Sequence, residues 1–236
     1  QLFYNNLGFD ELVSLEDLGS GKPEDVLAGI AESLKDAGDQ PAFIYSQIDL
    51  LKDEYTKTPE ESYLADLKLL DGYLLQLKEI VGSSKEPTII VLYSDGMPVL
   101  GVDDKLLYEY GTVDSKDTSI ETSSKLNEGD LLIWNNYNRS NTVYPAGEKF
   151  NLSGLGPLVM NYGDFNMPNY FYFINHLKDA KRLDGISKEY LQLDNVLYAS
   201  DSNTYEELAH EYIIIVKDIL GPNKYAEEDK DKWINK

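Results

Sequence analysis

Apolar residues recur at helical spacing in the first third of the chain. A segment that begins at Pro23 carries them at positions 26, 27, 30, 31 and 34 and ends before Gly38. This pattern predicts a helix with one buried face and a glycine at its C-terminal cap. A second, shorter helix is predicted over residues 41–53, with Ile44, Ile48 and Leu51 on its buried side.

The third predicted helix, over residues 58–82, has the clearest pattern in the chain. Thr58, Pro59 and Glu61 form the sequence of a capping box with proline at the first helical position. An apolar stripe then advances in steps of four and three: Tyr63, Leu67, Leu70, Leu74, Leu77 and Val81. A stripe shorter than three heptads favours a packing face over a coiled-coil seam.

The periodicity changes after Pro87. Two apolar runs at 88–93 and 97–102, joined by Ser94-Asp95-Gly96, predict a β-hairpin. A long helix followed by such a strand–turn–strand resembles extracellular PAS-type sensor domains, and this resemblance implies a sensory role. Further strands are predicted at 106–113, 131–137, 158–162 and 170–174, whereas 186–193 fits either a strand or a helix.

The last predicted helix begins at Thr204, where Glu207 completes a second capping box, and stops at Gly221-Pro222. Because helices do not alternate with the strands between about 88 and 175, a regular parallel βαβ arrangement is disfavoured. We therefore predict an α+β fold with an N-terminal helical segment, a mainly antiparallel sheet and a closing C-terminal helix. The expected division is a helical segment over 1–84, a β-rich part with the C-terminal helix over 85–222, and a charged tail over 223–236.

Charge narrows the range of partners. The 236 residues include 42 acidic and 21 basic side chains, which gives a formal net charge of −21. The surface field therefore disfavours nucleic acid and anionic lipid as partners. No apolar run approaches the roughly 18 residues of a membrane-spanning helix, so direct membrane insertion is not expected.

Residue usage also bears on the compartment. Cysteine is absent, which removes disulfides, thiolate metal sites and cysteine nucleophiles from consideration. Tyrosine is abundant, with 18 residues, and the chain begins with Gln1 rather than methionine. The absence of cysteine does not decide the compartment. We interpret the tyrosine content and the first residue as those of an extracytoplasmic protein, secreted or on the cell surface, from which a signal peptide has been removed.

Three short stretches approach known motifs, and none completes one. Gly19-Ser20-Gly21-Lys22 lacks the earlier glycine and the following hydroxyl residue of a phosphate-binding loop. His210-Glu211 is followed by Ile214, where a zinc-protease helix has its second histidine. Residues 201–207 lack the glycine of a calcium loop, and Tyr212 stands in place of its terminal glutamate. No catalytic residue, metal or cofactor is assigned on this basis.

One segment, residues 131–177, differs from the rest of the chain. Its two acidic and two basic residues give a formal charge of zero, yet it holds ten of the 27 aromatic residues and nine asparagines. Aromatic faces beside neutral amides suit a ligand with hydroxyl or amide groups. The alternative is that the aromatic residues lie in core strands and the asparagines shape ordinary loops. Alternation in residues 170–173 implies that Tyr170 and Tyr172 share one presented face.

The leading hypothesis is a non-enzymatic recognition or sensory module that binds a neutral small molecule, a glycan or a protein. The candidate contact residues are Trp134, Tyr137, Asn138, Tyr144, Asn166, Asn169, Tyr170 and Tyr172. Two alternatives stay open: a hydrolase, possibly acting on glycans, that uses paired carboxylates, and an acidic inhibitor or immunity-type protein that captures a basic partner.

Overall fold

The computed structural model describes residues 9–14, 17–19, 22–48, 54–55, 57–94, 96–101, 105–113, 119–137, 149, 151–181 and 183–220. Of these residues about 51% are helical and 14% lie in strands. The described helices are, in chain order, α1 (Pro23–Ala37), α2 (Pro59–Gly82), α3 (Lys105–Glu109), α4 (Ile120–Leu126), α5 (Leu155–Gly163), α6 (Asn169–Lys181) and α7 (Asn203–Leu220), with a 3₁₀ turn at Leu152–Gly154. The strands are β1 (Glu54–Tyr55), β2 (Ile89–Tyr93), β3 (Val99–Leu100), β4 (Leu131–Asn135), β5 (Leu183–Ile186), β6 (Tyr190–Leu193) and β7 (Val196–Ala199).

The α+β class, the helical beginning and the closing helix α7 are confirmed. The chain divides into two compact units, each assembled from separate stretches. Unit 1 comprises Gln1–Thr88, Pro98–Thr112 and Asn135–Tyr137, and unit 2 comprises Ile89–Met97, Val113–Trp134 and Asn138–Lys236. Within the described ranges, no helix combines the length and apolar character that crossing a bilayer demands.

Unit 1 is built around α2, which packs against α1 and β1. The predicted apolar stripe of α2 is turned inward, since its members are half-buried and Val81 is buried. Tyr55 of β1 is also buried, and its hydroxyl donates to an Asp66 carboxylate oxygen of α2 at 3.0 Å. Strand β1 pairs in parallel with β3, so this small sheet joins chain segments more than 40 residues apart.

Unit 2 contains the larger hydrophobic core. Its centre is formed by α6, α7 and the antiparallel meander β5–β6–β7. The buried members of this cluster are Phe173, Ile174, Leu177, Leu183, Leu191, Leu208 and Ile215. A two-residue turn at Asp194 and Asn195, with φ of 50° and 64°, connects β6 to β7. Both residue types tolerate the left-handed conformation that a tight hairpin requires.

The predicted hairpin over 88–102 is wrong, because its two strands belong to different sheets. Strand β2 pairs with β4, and β3 pairs with β1. The Ser94 N–H donates to the Asp130 carbonyl, and the Asn136 N–H donates to the Thr88 carbonyl, each at 3.2 Å. These bonds mean that β2 and β4 run antiparallel. The pairing removes the strand–turn–strand on which the resemblance to PAS-type sensors depended.

Three other predicted strands are helical in the structure: residues 106–109 of the first lie in α3, 158–162 lie in α5, and 170–174 lie in α6. In α6 the buried residues Phe173, Ile174 and Leu177 follow the helical period. Conversely, the described part of the predicted helix 41–53, residues 41–48, is not helical. Phe43 is 75% exposed there, and its aromatic and β-branched neighbours have low helix propensity. The ambiguous stretch 186–193 contributes to strands β5 and β6.

Helix termini are partly as predicted. Helix α1 begins at Pro23, the Asp25 carboxylate accepts from the Lys22 N–H, and Gly38 takes a positive φ after the last turn. Helix α2 begins at Pro59, but Thr58 has φ of 43° and its hydroxyl meets the Ser62 hydroxyl rather than a helix N–H. The predicted capping box at Thr58 is therefore not formed.

Candidate functional site

Four of the candidate contact residues belong to the last part of strand β4 or follow that strand in the sequence. Trp134 lies on β4, Tyr137 follows that strand, and both are half-buried. The Tyr137 N–H donates to Asn135 Oδ1 at 3.2 Å, which folds the chain back at the strand end. Asn138 and Tyr144 lie outside the described residues.

Asn136 acts as a structural clamp within unit 1. Its Oδ1 accepts from the Thr88 N–H at 2.8 Å, and its Nδ2 donates to the carbonyls of Glu86 at 2.9 Å and Val81 at 3.2 Å. One amide thus satisfies backbone groups at the end of α2 and in the segment that follows it. Asn151 also bonds to the backbone: its Oδ1 accepts from the Ser153 N–H at the start of the 3₁₀ turn.

Several asparagines of the charge-poor segment therefore build backbone turns and are not available to a ligand. Sequence alone did not distinguish them from binding residues, because both roles use the same amide. The signal that separates them is hydrogen bonding to the backbone, which depends on residues up to 55 positions away.

A different part of the segment keeps two aromatic rings and one amide exposed, with a second, half-buried amide at the start of α6. It consists of Phe165, Asn166, Asn169 and Tyr172, at the junction of α5 and α6, and is called the α5–α6 surface below. Phe165 is 55% exposed, Tyr172 is 40% exposed and Asn166 is exposed in the connecting loop. Asn169 and Tyr172 are three residues apart on α6 and so lie on one face of that helix.

The connecting loop is held in place by specific contacts. The Phe165 N–H donates to the Met160 carbonyl at 2.9 Å, and Asp164 takes the left-handed conformation with φ of 55°. The Phe165 ring lies so close to Gly163 that a Cβ built on this glycine would be 2.1 Å from a ring atom. Asn175 Nδ2 lies 3.4 Å from Met167 Sδ, which ties the end of the loop to α6. The exposed ring is thus presented by a defined backbone.

Tyr170 does not belong to this exposed surface. It packs against the core cluster of unit 2, and its hydroxyl hydrogen-bonds Tyr212 of α7. Burial, followed by the interaction with Tyr212, raises the pKa of Tyr170 well above the ordinary value. The prediction that Tyr170 and Tyr172 share one face is wrong. Both lie in helix α6, and side chains two residues apart on a helix point in directions that differ by about 200°.

Two carboxylates outside the α5–α6 surface have lowered pKa values. A hydrogen bond from the Tyr73 hydroxyl lowers the pKa of Glu24, and hydrogen bonds from Ser14 lower the pKa of Asp17. Both groups are fully exposed, and a depressed pKa keeps a carboxylate ionised rather than preparing it to act as an acid. In the part of the chain that the structure describes, no three histidine, aspartate or glutamate side chains converge to hold a metal ion.

A small cavity lies in unit 2 beside the 3₁₀ turn. Its volume is about 10 Å³, which corresponds to roughly one water molecule. The Ser153 hydroxyl oxygen is buried there without a hydrogen-bond partner among the described residues. The cavity is lined by Asn151, Ser153, Gly154, Ile174, Lys178 and Leu183. Its size suits an internal water on Ser153 and excludes an organic ligand.

Fold and surface define an α+β protein with an aromatic and amide surface at the junction of α5 and α6 in unit 2. Comparisons with protein-family models, with curated proteins and with solved structures find no match for the chain.

Proposed function

We propose that the protein is a non-enzymatic recognition module whose α5–α6 surface binds a neutral ligand with hydroxyl or amide groups, such as a glycan. The observation that carries the proposal is the exposure of two aromatic rings, Phe165 and Tyr172, beside uncharged amides in a chain of net charge −21. A ring face covers the apolar C–H surface of a sugar, and amides exchange hydrogen bonds with its hydroxyl groups.

Local charge supports a neutral ligand. Between Asn151 and Leu177 the only charged residue is Asp164. A cationic ligand gains little attraction from one carboxylate, and an anionic ligand meets no lysine or arginine in this stretch. This local neutrality favours an uncharged ligand.

Rigid presentation of the loop supports useful affinity. Because Phe165 is held over Gly163 and bonded to Met160, little conformational entropy remains to be lost when a ligand contacts the ring. Rings on an open surface give modest affinity, so the probe concentrations should be in the millimolar range.

The binding test uses the full chain with a panel of neutral mono- and disaccharides, including N-acetylated sugars, and neutral amino acids. A bound probe raises the melting temperature of the native protein, and each hit is then titrated by calorimetry. We expect Phe165→Ala and Tyr172→Ala each to weaken binding by about tenfold or more, since loss of an aromatic ring that stacks on a ligand costs about 1–3 kcal/mol.

The matched control is Tyr45→Ala, which removes an aromatic side chain that is 49% exposed in unit 1. It should bind the probe with wild-type affinity. Absence of any hit with the wild-type protein, or equal loss in Tyr45→Ala, would refute the proposal.

We place the protein outside the cytoplasm as part of this proposal. The abundance of tyrosine and the near-absence of arginine support this location. Fractionation of cells that produce the protein naturally, with protease treatment of intact cells, tests it. Recovery of a protected protein with the cytoplasmic fraction would contradict this part alone and leave the ligand assignment standing.

A further inference from the structure

Helix α2 presents a second row of residues beside its buried stripe. The row is displaced by one residue, or about 100° around the helix, from the stripe that begins at Tyr63. Every member of the row is exposed, and it is called the α2 outer row below. Its members are Glu61, Leu64, Lys68, Asp71, Leu75 and Lys78.

The spacing of the outer row is that of a helix–helix seam. Its steps are three, four, three, four and three residues, as in the a and d positions of a heptad repeat. Its two leucines, Leu64 and Leu75, are 57% and 58% exposed. Single exposed leucines are ordinary on protein surfaces, but here the two leucines alternate with charged residues in a regular order.

That order is self-complementary in one orientation only. When two copies of α2 run antiparallel, with residues facing each other whose numbers sum to 139, Leu64 meets Leu75. Lys68 then meets Asp71, and Glu61 meets Lys78. A two-fold axis produces each pairing twice, which gives two leucine layers and four pairs of opposite charge.

The parallel orientation fails on the same residues. In register, Lys68 would face Lys68, and Asp71 would face Asp71, so like charges would oppose each other along the seam. Antiparallel heptad seams also pair an a position with a d position, as the sum of 139 requires. Charge order and spacing therefore agree on one partner and one direction.

We propose that the outer row of α2 is a self-association surface, on which a second copy of this chain docks in the antiparallel orientation. Two leucine layers and exposed ion pairs make a small interface, so the association is weak and concentration-dependent. Two chains of charge −21 repel each other at long range, and only a locally matched strip overcomes that repulsion. This inference concerns unit 1 and is independent of the ligand proposed for unit 2.

A charge-exchange series tests the pairing. Lys68→Asp alone sets carboxylate against carboxylate at both central positions, and Asp71→Lys alone sets ammonium against ammonium. Each single variant should raise the dimer dissociation constant by about tenfold or more, measured by sedimentation at 0.15 M salt. The double variant K68D/D71K restores opposite charges in the antiparallel arrangement and should return to within about threefold of the wild type.

Leu75→Glu and Leu69→Glu form a matched pair for the leucine layers. Both leucines are exposed on α2, at 58% and 56%, but Leu69 lies off the outer row. L75E should abolish association, whereas L69E should leave it unchanged. Circular dichroism of each variant shows that the helix is retained, so loss of association is not mistaken for unfolding.

Cross-linking fixes the orientation, since the natural chain has no cysteine. A mixture of L64C and L75C proteins should form a mixed disulfide under mild oxidation. L64C alone should not, because the two copies of position 64 are about 16 Å apart along the antiparallel pair. Cross-linking of L64C alone, failure of K68D/D71K to recover, or a wild-type chain that stays monomeric at millimolar concentration would each overturn the proposal.

Discussion

Asn136 illustrates how a single side chain joins distant parts of unit 1. Replacing it with alanine leaves the Thr88 N–H and the Glu86 and Val81 carbonyls without this partner. Loss of a part-buried polar partner commonly costs 1–3 kcal/mol, so we expect Asn136→Ala to lower the free energy of unfolding by about 2 kcal/mol. Urea denaturation measures the change.

The control for this variant is Asn166→Ala, which removes the same amide from an exposed loop position. Its free energy of unfolding should stay within about 0.5 kcal/mol of the wild type. Equal effects of the two replacements would mean that the clamp contributes nothing beyond the loss of an amide.

The hydroxyl of Tyr170 gives a second prediction at this scale, concerning pH. An unfolded tyrosine ionises near pH 10, whereas burial and Tyr212 raise the pKa of the folded Tyr170 above that value. Above pH 10 the folded state then holds more protons than the unfolded state, so the free energy of unfolding falls as the pH rises. This contribution is present in full below pH 10 and is lost above it.

Tyr170→Phe removes the ionisable group and should flatten the decline between pH 9 and pH 11, measured by urea denaturation at each pH. Tyr172→Phe, which removes an exposed hydroxyl from the same helix, should keep the wild-type decline. A wild-type slope in Tyr170→Phe would show that another group controls stability in this range.

At the scale of elements, the N-cap of α7 lies two residues before the cap that the sequence predicts, Thr204. The helix begins at Asn203, and the Ser202 hydroxyl accepts from the Tyr205 N–H at 3.2 Å. Ser202→Ala should therefore lower the free energy of unfolding by about 1 kcal/mol. Thr204→Ala, at the predicted cap, should change it by less than about 0.5 kcal/mol. Thermal and urea unfolding compare the two, and the reverse ranking would contradict the structural cap.

Long helices with a continuous apolar stripe were predictable from sequence, as α2 demonstrates, because burial repeats every three or four residues along 24 positions. Short apolar runs were not. The window 170–174 suggests alternation, and only Leu177, beyond its end, reveals the helical period of α6. Pairing partners were also hidden, since β3 meets β1 across more than 40 residues and Met97 bonds to Leu126 rather than continuing a hairpin.

The arrangement of the candidate site was likewise only partly predictable from the sequence. The position of the Phe165 ring depends on its close fit over Gly163, which no spacing rule encodes. The hairpin turn at Asp194 and Asn195, by contrast, did carry a sequence signal, because adjacent Asp and Asn residues tolerate positive φ. A signal of that kind decides a strand boundary but does not identify a binding residue.

At the scale of the whole molecule, the net charge affects thermal stability. With 42 acidic and 21 basic residues, acidic groups outnumber possible basic partners by 21, and the folded chain repels itself. Raising sodium chloride from about 20 mM to 0.5 M screens this repulsion. We expect the melting temperature to rise by several degrees, measured by calorimetry, with sucrose of equal osmolality as the uncharged control. An unchanged or lower melting temperature in salt would mean that attractive pairs outweigh the excess charge.

The interleaved composition of the two units has a consequence for synthesis. Unit 1 takes its last stretch, Asn135–Tyr137, from beyond the middle of the chain, and that stretch carries the amide that fastens the end of α2. When a nascent chain has left the ribosome only as far as Thr112, helices α1, α2 and α3 of unit 1 have been made, but Asn136 has not. Unit 1 can therefore be completed only after β4 has been translated. N-terminal fragments that end before Asn136 are expected to be less stable than unit 1 in the full chain.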